Sequence, residues 1–185
     1  DSGASLRLAP QDWSPALLAG VGRLHLSGYL FFSEPSRALV SVVLESARSA
    51  GVPVSVDPAS AGFLTASGVD RFLELAAGAD VLLPSRDEAC LLTGLPDPAD
   101  AAAKLSRQFP LVVVKQGGAG ALVARSGTVR ARVPARSVTP RDTTGAGDAF
   151  TGAFLAALLA GTAPEAAAVA GCAAGAKAVE RVGGR

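Results

Sequence analysis

The sequence predicts an α/β sandwich with a mostly parallel sheet, on three observations. Short apolar runs alternate with amphipathic stretches along most of the chain. Residues 23–29 (RLHLSGY) and 52–57 (VPVSVD) flank a helix-period stretch, the pattern of a right-handed parallel βαβ unit. Further along, two glycines open a long apolar helix directly after a strand and loop.

The elements follow in order. Residues 34–50 form a helix in which Ser33 can cap, Pro35 sits in the first turn and Gly51 ends the run. Leu39, Val43, Leu44 and Ala47 make its apolar face. Residues 69–77 form a short helix, 80–84 (DVLLP) a strand and 85–93 a helical turn or two. Asp97 caps the next helix, with Pro98 at its first position and an end near Gln108. Residues 111–115 (LVVVK) are the most apolar strand. Residues 121–125 and 128–134 pair through a tight turn at Ser126-Gly127. Two Ala-rich helices, 145–160 and 163–181, close the chain, the second with a capping box from Thr162 to Glu165.

Composition bounds the function. The chain has 185 residues, one domain's length, and 49% hydrophobic residues, enough for a packed core. A formal net charge of +1 supplies no field for nucleic acid or a membrane surface. No apolar run reaches the roughly 20 residues of a spanning helix. Cys90 and Cys172 lie too far apart for a metal knuckle, so a reducing cytoplasm is the expected setting. With one histidine, His25, in a strand as a packed or edge residue, catalysis must lean on carboxylates, backbone amides, Lys or Arg. There is no GxxxxGK[ST] loop, no GxGxxG after an early strand and no GxSxG elbow. Trp13 is expected to cover an apolar surface.

In such a sheet ligands gather at the carboxyl ends of the strands. Those ends hold Asp57, Ser85 with Glu88, residues 115–120, and residues 141–148. The last segment, DTTGAGD before AFTGAF, is the most informative. Bare backbone at a helix start presents unpaired N–H groups and a partial positive charge, which suits phosphate. Asp148 in the first turn reads either as a dipole-stabilising residue or as a general base beside that anion.

DTTGAGDAFTGAF resembles the C-terminal signature of the ribokinase-like, PfkB-type carbohydrate kinases. The resemblance implies that Asp148 deprotonates a sugar hydroxyl and that the amides of Gly145, Ala146 and Gly147 form an anion hole. It implies that Asp142 and Thr144 help hold a monovalent cation, with K+ the candidate. LPSRDE, residues 83–88, is similar to the family's LPNxxE stretch, with Ser85 for the usual Asn; Glu88 there helps organise Mg2+ and phosphates. Ser85 and Glu88 also read as a capping box, and both roles can hold. VKQGGAG is similar to the family's KxGxxG nucleotide loop through Lys115, Gly117 and Gly120. Cys172 stands where many members have Asn on the helix walling the adenine, and also reads as a small buried helix residue. Asp57-Pro58 is similar to the family's DP element and also reads as a strand-ending turn.

The resemblance runs from about residue 5 to residue 184. It implies a three-layer, ribokinase-like domain whose opening strands, sugar-binding motif and lid are missing, so residues 1–185 read as one incomplete kinase domain. The first residues (SGASLRLAP) resemble the stretch after the lid, and the chain starts at Asp1 without Met, as a piece of a longer frame would. The implied activity is ATP-dependent phosphorylation of a sugar, with Mg2+, in the cytoplasm, by a protein whose lid can form a homodimer. A nucleoside is the alternative acceptor. A non-catalytic nucleotide-binding module derived from such a kinase is the alternative function. An exposed sheet edge that promotes aggregation is expected of the 185 residues alone.

Overall fold

The computed structural model describes residues 7–32 and 34–183. Two 3-10 turns, Pro10–Asp12 and Pro15–Leu18, lead into strand β1 (Leu24–Ser27), and a further 3-10 turn, Gly28–Phe31, follows it. Then come α1 (Ser36–Ser49), β2 (Val54–Asp57), α2 (Ala61–Ser67), α3 (Val69–Ala76), β3 (Val81–Leu82), α4 (Arg86–Thr93) and α5 (Pro98–Leu105). The chain continues with β4 (Leu111–Lys115), β5 (Ala121–Arg125), β6 (Thr128–Val133), α6 (Ala146–Leu159) and α7 (Pro164–Val179).

The six strands lie in sequence order. β1 to β4 are parallel, and β4, β5 and β6 are antiparallel. Alternation along each strand builds two cores, one per face. Leu82, Val112, Val114, Leu122 and Ala124 pack with residues of α1 to α5 such as Val40, Phe72 and Leu105. Val81, Val113 and Val123 pack on the other face with Phe150 and Phe154 of α6 and Ala168 of α7. The expected three-layer α/β sandwich is therefore the observed one.

On the second face, the strand residues of that core come from β3 to β6. Leu26, Val54 and Val56 face the first core. By the alternation of the strands, His25, Ser55 and Asp57 therefore face the side where α6 and α7 lie.

Local chemistry accounts for the starts of α4 and α5. Ser85 and Glu88 form the predicted capping box: Ser85 Oγ accepts from the Glu88 amide at 3.3 Å, and Glu88 Oε2 accepts from the Ser85 amide at 2.7 Å. Asp97 Oδ1 accepts from the amides of Ala99 and Asp100, as its sequence position predicts. Trp13 covers the first core and donates Nε1 to Ser46 Oγ at 3.0 Å.

Two expectations are corrected, and one helix had no signal in the sequence. The α7 box from Thr162 to Glu165 does not form: Ala163 is the N-cap, Pro164 takes the first helical position, and the Thr162 amide donates instead to Ala157 O. The α1 N-cap is Pro35, preceded by Glu34, whose carboxylate accepts from the Ala38 amide at 3.3 Å; the proposed cap Ser33 lies outside the described residues. Helix α2 was not anticipated, because seven residues with one buried side chain, Leu64, carry no visible period. Residues 2–6 and Gly184 of the family resemblance also lie outside the described residues.

Candidate functional site

A cleft of about 1100 Å³ opens at the carboxyl ends of the strands. Parallel strands deliver their last residues there: Asp57 from β2, Lys115 from β4, and Ser85 just past β3, where it bridges to Lys115. From the other side come the first turns of α6 and one flank of α7.

Gly145 is the N-cap of α6 in a left-handed conformation, φ +76°, which a side chain rarely adopts. Ala149 is the first α6 residue whose amide reaches one turn back, to Gly145 O at 2.9 Å. The Ala146 amide closes a turn onto Thr143 O at 3.2 Å. The Gly147 and Asp148 amides take no acceptor among the described residues and remain available to an anion. Asp148 is exposed beside them, on the cleft wall.

A buried polar cluster of the cleft centres on Asp57, which is 8% exposed. Its Oδ2 pairs with the Lys115 ammonium and accepts the Thr151 hydroxyl at 3.1 Å. Its Oδ1 accepts the Ala59 amide at 3.1 Å. Two elements distant in sequence, β4 and α6, thus converge on one carboxylate of β2.

Glu88 is 6% exposed and lines the same cleft. Burial raises its pKa, against the lowering effect of the Ser85 amide. Its carboxylate is the hard oxygen donor that Mg2+ takes together with phosphate oxygens and water, so the donor chemistry fits that ion. Cys172 is buried at the α7 flank, and burial raises its thiol pKa, which keeps it a neutral packing group. Both cysteines are free thiols.

The cleft gathers Asp148, Ala146, Gly147, Ser85, Glu88, Lys115, Gly117, Gly120 and Cys172 of the sequence-derived candidates. Asp142, Thr144 and Gly145 lie just outside its lining. Asp142 staples its loop to the C-terminal segment: Oδ1 accepts the Thr144 amide at 2.9 Å and Oδ2 the Gly183 amide at 2.8 Å. The Gly183 bond is the larger cause that lowers its pKa to about 2, with Thr144 adding to it.

Sequence reasoning missed Thr151, whose only signal is its helical spacing of three from Asp148. It also missed Arg136 and Ser137, which line the cleft from the irregular loop after β6 and carry no motif. His25 sits on edge strand β1, as expected of it, and also lines the cleft. Its Nδ1 lies 3.0 Å from Ser55 Oγ, and burial lowers its pKa against the pull of the Asp57 charge. Among the described residues no helix is long and apolar enough to cross a membrane.

The pfkB family carbohydrate kinase model matches residues 3–185. A fructokinase of Klebsiella pneumoniae is 36% identical over 170 residues, which are 88% of this chain and 53% of that protein. The chain spans about half the length of most curated relatives it matches. Among solved structures, adenosine kinase from Sinorhizobium meliloti superposes with a TM-score of 0.91 at 24% identity, over 97% of this chain and 55% of that one, which speaks to the fold. A fructokinase double mutant from Vibrio cholerae O395, in fructose, ADP and potassium ion bound form, matches at 28% identity and a TM-score of 0.74, over 89% of this chain and 56% of that one.

Proposed function

Because the chain belongs to the pfkB family of carbohydrate kinases, we propose that it is the nucleotide and phosphate half of a ribokinase-like domain that phosphorylates a sugar hydroxyl with ATP. One observation carries this reading. An exposed carboxylate, Asp148, stands in the first turn of a 14-residue helix whose free amides open into the cleft.

Asp148 takes the proton as the hydroxyl oxygen attacks the γ-phosphorus in line. The new P–O bond forms as the bond to the β–γ bridging oxygen breaks, and ADP leaves. The free amides of Gly147 and Asp148, with the positive end of the α6 dipole, hold the equatorial phosphoryl oxygens, while the Ala146 amide that the family resemblance would add is taken by Thr143 O. Positioning and charge stabilisation are what such a transfer needs from a protein. The Lys115–Gly120 turn and the Cys172 flank of α7 receive the nucleotide, with Ser85 at the edge. Glu88 would help hold Mg2+, which would supply positive charge against the phosphates. Asp142 and Thr144 shape the loop that would take K+, the ion named with the Vibrio fructokinase. Fructose is the first acceptor to try, since fructokinases are among the relatives; a nucleoside is the alternative.

The test is Asp148→Asn in the protein at its natural length, against a panel of sugars and nucleosides. Turnover should fall by about 10²–10⁴, the usual contribution of a general base, with ADP affinity retained. Near-normal turnover would remove Asp148 from the role. Nucleotide binding by the unaltered protein without transfer to any acceptor would favour a non-catalytic module.

A further inference from the structure

We infer that the Lys115 ammonium is a ligand of the transferring phosphoryl group, held by Asp57 until that group arrives. The inference rests on the kinase reading above and deepens it, since the family resemblance puts Lys115 only in the nucleotide loop.

Three observations carry it. The Lys115 side chain pairs with Asp57, both side chains being largely buried, 13% and 11% exposed. Its Nζ lies 3.7 Å from where a Cβ on Gly147 would stand, against the first turn of α6. Asp57 is itself fixed from elsewhere, by the Thr151 hydroxyl and the Ala59 amide, so it is a rigid dock.

Electrostatics gives this placement its meaning. A cation beside a helix N-terminus opposes the helix dipole. Asp57 offsets that cost while the cleft holds no anion. A phosphoryl group seated at the Gly147 and Asp148 amides would meet both positive groups at once, and Lys115 could share its donors between it and Asp57. A lysine has three N–H donors on a flexible stem, which suits such sharing. Charge developing on the phosphoryl oxygens is then met by a cation already in place, with little reorganisation.

A purely structural role makes a different prediction. If Lys115 only neutralises Asp57, removing both charges together should restore function. The variants are therefore Lys115→Met and the double variant Asp57→Asn/Lys115→Met, in the protein at its natural length. Turnover with sugar is measured, along with affinities for ADP and for a β,γ-imido ATP analogue, and folding is followed by circular dichroism. Lys115→Met should lower kcat by about 10²–10³, the usual loss when one preorganised donor is removed. It should weaken the analogue more than ADP. The double variant should melt closer to the parent than the single one does, yet stay impaired in turnover. Recovery of turnover in the double variant overturns the inference, as does an equal loss of ADP and analogue affinity. An unaltered protein that turns over sugar while Lys115→Met does so equally well overturns it alone. An unaltered protein that binds no nucleotide overturns the kinase reading and this inference together.

Discussion

Thr151 and Asp57, 94 residues apart, meet through a hydroxyl-to-carboxylate hydrogen bond of 3.1 Å. The bond ties the second turn of α6 to the carboxyl end of β2. It reaches across the layer where the second core has no β2 residue to hold the helix. The same Asp57 oxygen pairs with Lys115, so the alignment of strand end, lysine and helix depends on one atom.

Thr151→Val keeps the shape of the side chain and removes this donor. The variant should lose about 1.5–3 kcal/mol, the usual range for a hydrogen bond to a charged group. The shift in denaturant midpoint at constant slope measures it. A loss near zero would mean that Asp57 finds a replacement donor, such as water.

Glu88 joins a stabilising cap to an unfavourable burial. Its carboxyl pKa is raised in the folded protein. Between the unfolded value and that raised value the folded state binds more protons, so stability falls as pH rises through this window. Glu88→Gln preserves an acceptor for the Ser85 amide and removes the charge. The variant should flatten this pH dependence and match or exceed the parent's stability at neutral pH, while Mg2+-dependent turnover falls. Thermal midpoints followed upward from the ordinary carboxyl range and a Mg2+ titration of turnover test the two halves separately.

Asp142 behaves in the opposite sense. Its folded pKa, about 2, lies below the ordinary carboxyl value of 3.8. Its contribution is fully present above the ordinary value and is lost as pH falls through the folded one. Asp142→Ala should lower the melting temperature by a constant amount above about pH 4, where an ordinary carboxyl is ionised, and the gap to the parent should close below that. A gap that stays constant in acid would mean that the Gly183 and Thr144 bonds do not stabilise the ionised carboxylate.

Gly120 meets two constraints together. Its φ is +93°, and a Cβ there would stand 1.9 Å from Val133 O. Gly120→Ala should cost about 2–4 kcal/mol, from backbone strain plus the forced shift of β6. It should also weaken nucleotide affinity, because the turn it closes lines the cleft. Equilibrium unfolding and ADP calorimetry read the two effects. Parent-like values in both would mean that the turn is not a fixed part of the site.

The sequence by itself determined what local periods and end signals encode. Short apolar runs between amphipathic stretches marked β1, β2, β4 and the hairpin, because a strand covered on both faces is apolar along its length, as β2 and β4 are, while a helix on the sheet is apolar at a period of 3.6. Asp97 with Pro98, and Ser85 with Glu88, marked helix starts, because their side chains satisfy amides within three residues. The glycines before Asp148 marked the start of α6, where Gly145 takes a left-handed conformation that a side chain rarely adopts. Where local signals competed, they misled: Thr162 and Glu165 spell a capping box, yet Pro164 takes the first helical position and Ala163 is the N-cap. The tertiary structure alone decided that Asp57, Lys115 and Thr151 share one oxygen. Nothing within a few residues of any of them requires the others. They meet because β2 and β4 flank β3 in a parallel sheet, which brings their carboxyl ends to one edge, and because α6 packs over that edge. The charge that Lys115 presents to α6 is a product of that packing, not of any motif.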